Sequence, residues 1–403
     1  MIGKDEMKAA FDSLPKDQQG VLERAAERIR VFAQAQRDAI RDVEIAVPGG
    51  AAGHEVSPVR TAGCYAPGGR YPLPSSVLMT AVTARVAGVE RVWVASPRPA
   101  HATIAAAHVA GADALLRVGG AQAIAAMAYG VGKVDPCDVI VGPGNRWVTA
   151  AKSLVSGRCG IDMLAGPSEC LVLADGKADP ALIAADLLAQ AEHDTDALPV
   201  LVTDSDELAD AVDVEISRQL AILPTRDTAG VSVRKGFTVV CSSMDEAAAV
   251  SDTVAPEHLE VMTENPKEFA QRLRNYGGLF VGARSAEVLG DYGIGPNHVL
   301  PTSGTGRYTG GLSVFTFLRI RTWLRSDEAL AESDEFQGAV KDAAALARIE
   351  GLRAHERAAL RRVTDGGAAL AAVEEADSKE EKEREVEAKE GASKAEAAGA
   401  GGQ

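Results

Sequence analysis

Short β-branched runs alternate with helical stretches through the middle of this chain, and that alternation constrains the fold more than any other feature. Apolar runs of four to six residues cannot fill a helix turn pattern, yet they suit strands buried on both faces of a parallel sheet. Strands are expected at Arg91 to Ala95, Asp138 to Val141, Cys170 to Leu173, Val200 to Thr203, Phe237 to Cys241 and Leu279 to Val281. Helices are expected between them, at Ala100 to Ala110, Gln122 to Tyr129, Arg146 to Val155 and Pro180 to His193. The last carries its own start signal: Asp179 can cap the first turn, and Pro180 suits a position whose N–H has no partner to lose. Strand, helix and strand in repeated succession predict an α/β protein with parallel sheets.

The chain has 403 residues, 46% of them hydrophobic, enough to bury more than one core. No apolar stretch approaches the roughly 18 residues that a bilayer crossing requires, so no membrane partner is expected. The opening MIGKDEMKAAFDSLPKD mixes charged and apolar side chains and lacks the apolar core of an export signal, which points to a cytoplasmic protein. A formal charge of -15 repels phosphate backbones, and nucleic acid is not an expected partner. Five cysteines (Cys64, Cys137, Cys159, Cys170 and Cys241) form no CxxC pair, so neither a disulfide framework nor a thiolate metal site is expected. From about Gly366 the chain becomes Ala, Glu, Lys and Gly without aromatics, and is expected to be a disordered acidic tail in which Glu-to-Lys pairs form at most a transient helix.

Two glycine-rich loops follow strand-like runs: Pro67-Gly68-Gly69-Arg70 and Gly142-Pro143-Gly144-Asn145. Such loops let backbone approach a phosphate closely, although neither matches GxGxxG. Gln190 and His193 lie three apart near a helix end and leave one face of it. Glu257 and His258 are adjacent in Ala255-Pro256-Glu257-His258-Leu259, a carboxylate and an imidazole suited to divide acid and base work. Asp291 and His298 fall in Gly290-Asp291-Tyr292-Gly293-Ile294-Gly295-Pro296-Asn297-His298, too poor in hydrophobics to be core. Glu350 and His355 are five apart after a long helical run. Each alone is also what a surface turn contains. Together Gln190, His193, Asp291 and His355 supply nitrogen and oxygen donors of the kind zinc takes.

These segments, with Tyr65-Ala66-Pro67-Gly68-Gly69, Gly119-Gly120-Ala121-Gln122, Ile161-Asp162-Met163-Leu164-Ala165-Gly166-Pro167-Ser168-Glu169 and Gly295-Pro296-Asn297-His298-Val299-Leu300-Pro301-Thr302, resemble the histidinol dehydrogenase family over about Ala25 to Val363. The resemblance implies two incomplete Rossmann-like domains, one inserted in the other. Residues 1–64 and 169–312 would form the first, residues 65–168 the inserted NAD-binding one, residues 313–365 a small helical segment exchanged in a homodimer, and residues 366–403 the tail. It implies Zn2+ held by Gln190, His193, Asp291 and, across the dimer, His355. It further implies Glu257 and His258 as the acid/base pair, NAD contacts at Tyr65, Gln122 and Asn145, and substrate contacts at Ser168, Gln190, His193, His258, Asp291, His298, Glu350 and His355. The implied reaction takes L-histidinol to L-histidine through two NAD-dependent oxidations. In a photosynthetic eukaryote the compartment would be the plastid. Gly69-Arg70-Tyr71-Pro72 and Arg307-Tyr308-Thr309-Gly310-Gly311 look closer to relatives that oxidise sulfonated diols such as 2,3-dihydroxypropane-1-sulfonate. An acid at Glu350 would stabilise a cationic amine and repel a sulfonate, which favours histidinol. A non-catalytic zinc-binding relative is the third reading, and it would be expected to show an eroded catalytic pair.

Overall fold

The computed structural model describes residues 1–68 and 71–399, with side chains through residue 389. Gly69 and Arg70, singled out above, lie outside the described residues. Helices α1 (Lys4–Asp12) and α2 (Lys16–Asp38) open the chain, followed by strands β1 (Val43–Val47), β2 (Gly50–Pro58) and β3 (Thr61–Tyr65). Next come α3 (Pro74–Ala87), β4 (Arg91–Ala95), α4 (His101–Val109), β5 (Ala114–Leu116), α5 (Gly120–Tyr129), β6 (Val139–Val141), α6 (Arg146–Val155) and β7 (Gly160–Ile161). The second run comprises β8 (Glu169–Ala174), α7 (Pro180–Ala191), β9 (Leu198–Thr203), α8 (Asp206–Ile222), α9 (Arg226–Val233), β10 (Phe237–Val240), α10 (Met244–Val254), β11 (His258–Met262), α11 (Pro266–Ala270), β12 (Gly278–Val281) and α12 (Glu287–Asp291). The chain ends with β13 (Leu318–Ser326), α13 (Asp334–Ile349), α14 (Arg353–Leu360) and α15 (Gly366–Gly399). Every strand and helix expected above from the alternation is present, with ends shifted by at most two residues.

Two parallel sheets of five strands carry the first of two compact units, Met1–Ile40 with Val56–Arg319. The first sheet runs β5-β4-β3-β6-β7 and the second β10-β9-β8-β11-β12. In each, the chain leaves the central strand in one direction and then crosses to its other side. That reversal opens a crevice beyond the carboxyl ends of β3 and β6 in one sheet and of β8 and β11 in the other. Strand alternation sorts the core of the second sheet: Leu171 and Leu173 join Leu259 and Val261 on one face, while Cys170, Val172 and Ala174 pack with Ile183 and Leu187 of α7 on the other. Each such fully buried Leu or Ile contributes about 1.5–3 kcal/mol. By the same period of two, His258 and Glu260 share the face of β11 that bears Met262, the face toward α7.

Three segments are arranged differently from the expected layout among the described residues. The expected boundary between residues 64 and 65 falls inside β3, whose backbone is hydrogen-bonded to both β4 and β6, and Ile2 bridges to Leu115 of β5; the N-terminal residues therefore complete the first sheet's layer. Residues 41–55 belong instead with Ile320–Gln403 as the second unit, where β1, β2 and β13 form a three-stranded sheet. Segment 313–365 is thus not wholly helical: Leu318, Ile320 and Leu324 alternate with polar residues along a strand. Finally, α15 continues through the segment expected to be disordered. Its beginning is tied down because Val373 is buried against Ala344 and Leu360, and Asp377 pairs with Arg357 at 2.8 Å and with Arg353 at 3.4 Å. No helix among the described residues is long and apolar enough to cross a membrane.

Candidate active site

The two sheets present functional side chains at opposite ends. In the first, Tyr65 closes β3, Asn145 follows β6, and Gln122 sits in the first turn of α5, all at the carboxyl ends of the strands beside the crevice. The Tyr65 hydroxyl accepts the Gly120 N–H at 3.1 Å, which fixes the start of α5. Asn145 caps α6 by accepting the N–H groups of Trp147 and Val148 at 3.1 and 3.2 Å through its side-chain oxygen. This is the place where parallel α/β sheets bind dinucleotides.

In the second sheet the chemistry gathers at the amino ends of β8 and β11. Glu257 precedes β11 and His258 begins it, and both are buried. One residue of the neighbouring strand holds both: the Glu169 N–H donates to Glu257 Oε2 at 2.9 Å, and the Glu169 carbonyl lies 3.0 Å from His258 Nδ1. Gln190 Oε1 stands 3.2 Å from the same nitrogen, and so does Glu287 Oε2. A ring nitrogen facing three oxygens carries the proton, so the neutral imidazole is an Nδ1–H tautomer. Its Nε2 is then a lone pair, buried and without a hydrogen-bond partner among the described residues. Asp291 Oδ1 is 3.8 Å from that Nε2, too far to satisfy it. Burial lowers the His258 pKa below its ordinary value, against the opposing charge of Asp291, which keeps the ring neutral and its free nitrogen available to take a proton. Burial also pushes the Glu257 carboxyl well above the usual carboxylate range, helped by the charges of Asp291 and Glu169; the Glu169 N–H and the Ser168 side chain pull the other way.

Asp291 ends α12 and links the remaining residues. His193, just beyond α7, places Nε2 at 3.6 Å from Asp291 Oδ2. His298 Nδ1 is 2.9 Å from the Asp291 carbonyl, and its Nε2 is 3.5 Å from the Ser76 hydroxyl of α3. A cavity of about 460 Å3 is lined by His258, Asp291 and His298 together with Phe280 and Leu300. Gln190 is fully buried, and its Nε2 finds no partner among the described residues. The structure therefore gathers Ser168, Gln190, His193, Glu257, His258, Asp291 and His298. Glu350, at the end of α13, and His355, in α14, are exposed residues of the second unit.

Sequence reasoning missed Glu287. It is wholly buried, 3.2 Å from His258 Nδ1, with neither oxygen hydrogen-bonded among the described residues. Its spacing of four from Asp291 places both on one helix face, a signal that was legible in principle. Glu169 stood within the quoted motif, but its role passes through backbone atoms, which no side-chain pattern reveals.

Paired parallel sheets, a nucleotide-type crevice and a neutral, buried histidine base define an oxidoreductase of the dehydrogenase class. The histidinol dehydrogenase family model matches residues 1–363, and this chain belongs to that family. A histidinol dehydrogenase of Thermus thermophilus is 46% identical over 359 residues, covering 88% of this chain and 85% of the relative. A sulfopropanediol 3-dehydrogenase of Ruegeria pomeroyi is 42% identical over 368 residues, covering 89% and 83%. The crystal structure of histidinol dehydrogenase from Elizabethkingia anophelis matches with a TM-score of 0.84 at 33% identity, covering 90% of this chain and 83% of that one. Membership makes the chain an enzyme of an NAD-dependent family, and the non-catalytic reading falls.

Proposed function

We propose that this chain oxidises L-histidinol to L-histidine, the last step of histidine biosynthesis, in two NAD-linked steps through an aldehyde that stays bound. The observation that carries the reading is the set of oxygens around His258 Nδ1, which calls for an Nδ1–H tautomer and leaves Nε2, without a partner among the described residues, beside Asp291 and His298. Nε2 takes the proton of the substrate hydroxyl as the carbon gives up hydride. Glu257, once ionised, activates a water for attack on the aldehyde, and His258 receives a proton again in the second oxidation. Tyr65, Gln122 and Asn145 would hold NAD, which would supply the hydride acceptor.

Zinc fits the donors that meet here. His193 and Asp291 atoms 3.6 Å apart are close to the separation of about 3.3 Å between ligands of a tetrahedral zinc with bonds of about 2.0–2.1 Å. Among the described residues no three His, Cys, Asp or Glu side chains form a metal-binding group. The proposed set accordingly needs the Gln190 amide and His355 of the partner subunit in a homodimer, whose Glu350 would meet the substrate amine. Exposed apolar residues on the second unit, including Ile320, Leu324, Leu346 and Ile349, favour such an association. The metal would orient the substrate through its imidazole and amino nitrogens.

Charge favours histidinol over a sulfonated diol. The cavity beside His258 has Asp291 in its wall and no Lys or Arg among its described lining residues. Arg307, in the segment that looks closer to sulfonate-oxidising relatives, lines a different cavity with Glu169 and Ser303. The test is a comparison of purified, zinc-loaded protein on L-histidinol and on 2,3-dihydroxypropane-1-sulfonate. Two NADH per L-histidinol is the expected yield, and turnover of the sulfonate alone would overturn the assignment.

A further inference from the structure

The side chains of Lys152 in α6 and Asp162 beyond β7 form an ion pair that is nearly sealed from solvent, at 3% and 1% exposure. Its remaining hydrogen bonds go to very few places. Asp162 Oδ2 accepts the Gly142 N–H at 2.7 Å, and Lys152 Nζ donates to the Gly142 carbonyl at 3.0 Å. Asp162 Oδ1 also accepts the Met163 N–H at 2.7 Å. Both backbone groups of Gly142 are thus captured by the two halves of one ion pair.

Gly142 is where β6 ends. Pairing of β6 with β3 stops at Val141, and pairing with β7 stops at Ile140, so among the described residues neither strand ladder extends to Gly142. The pair takes over where the ladder runs out. Gly142 has φ +111°, and a Cβ there would lie 2.0 Å from the Tyr65 carbonyl, so the chain turns hard against the end of β3. Three residues on, Asn145 caps α6, the helix that carries Lys152. One clamp therefore sets Tyr65, the Gly142–Asn145 loop and the start of α6 relative to one another.

Stability alone is a poor reason for such a pair, because well-packed apolar residues commonly replace buried ion pairs at no cost. A pair whose bonds converge on one glycine has a positional use instead. We infer that Lys152 and Asp162 are positioning residues for the dinucleotide: they hold the Gly142–Asn145 loop in the shape that admits NAD without touching it. This rests on the reading that NAD sits at Tyr65, Gln122 and Asn145. Lys152 is buried beneath the loop, so its charge is neutralised by Asp162 and is not an anion ligand.

The test uses the full-length enzyme and three variants. Lys152→Met removes the clamp on the carbonyl, while Asp162 keeps two backbone donors. Lys152→Met/Asp162→Leu removes both charges and covers the case in which the single variant leaves Asp162 intolerably unpaired. Gln122→Ala probes the cofactor reading at a residue outside the clamp. NAD affinity is measured by calorimetry, and KM for each substrate and kcat by steady-state assay. A folded clamp variant is expected to lose about 10–100-fold in NAD affinity, with KM for the alcohol substrate and kcat at saturating NAD little changed. Equal loss in both KM values and in kcat would mark a purely structural pair and overturn the inference. If Gln122→Ala weakens NAD and neither clamp variant does, the inference fails and the cofactor reading stands. If none of the three weakens NAD, the cofactor reading itself fails.

Discussion

His193 Nε2 lies 3.6 Å from Asp291 Oδ2, joining the end of α7 to the end of α12. If both bind one zinc, His193→Ala and Asp291→Asn each lower bound zinc well below one per protomer and reduce turnover by at least about 100-fold. Metal analysis of the purified variants, with chelation and zinc restoration of the parent enzyme, checks this. Full zinc content in either variant would remove that residue from the ligand set.

The two members of the acid/base pair are expected to fail at different steps. His258→Asn should lower both oxidations, by about 10²–10⁴-fold. Glu257→Gln should spare the first hydride transfer and stall the second, which single-turnover NADH formation with trapping of the aldehyde distinguishes. Because burial lowers the His258 pKa, the first hydride transfer, which does not call on ionised Glu257 and is read by single-turnover NADH formation, should persist as pH falls past the ordinary imidazole value of about 6.5, and be lost only below. An acid limb centred above that value would contradict the assignment.

If the site is completed by the partner subunit as proposed, complementation between inactive variants becomes possible. His258→Asn and His355→Ala homodimers should each be nearly inactive. Unfolded together and refolded as a random mixture, they should recover about a quarter of parental activity, since half the dimers hold one intact site. No recovery, with mixed dimers demonstrated by mass, would place both residues in one subunit's site.

Glu260 provides a test of stability. Burial, with Asp186 beside it, pushes its carboxyl up to about 9, so the folded protein holds a proton that the unfolded chain gives up above about 4.5. Its contribution is fully retained below 4.5 and is lost as pH rises toward 9. Glu260→Gln keeps an acceptor for the Glu287 N–H, bonded at 2.6 Å, and cannot ionise. The melting temperature of the variant should match the parent near pH 5 and exceed it increasingly toward pH 9; parallel curves across that range would refute the assignment.

Much of the fold was legible because local patterns carry it. The helix at Arg146–Val155 has an Asn cap and an apolar face, and the α7 helix has its Asp179 cap, with Oδ1 accepting the Ala181 N–H at 2.8 Å. The β1–β2 hairpin was not legible: Gly50, Ala51, Ala52 and Gly53 have little strand propensity, and only pairing holds them, Val43 opposite His54 through Val47 opposite Gly50. The helical start of the tail was likewise hidden, because it depends on Arg353 and Arg357 reaching Asp377 from another helix.

The sequence by itself determined the α/β alternation, the loops that could approach a phosphate, and the set of acids, histidines and amides from which a site is built. Only the tertiary structure decided that Glu257 and His258 stand at the amino end of β11, opposite to the strand end at which Tyr65, Gln122 and Asn145 stand in the first sheet. It also decided which nitrogen of His258 is free. Both follow from contacts between residues far apart in the chain: the carbonyl of Glu169, the amide of Gln190 and the carboxyl of Glu287 meet one ring nitrogen only after β8, α7, β11 and α12 have packed. Periodicity reports which face a residue occupies, and burial by distant elements sets the proton it carries.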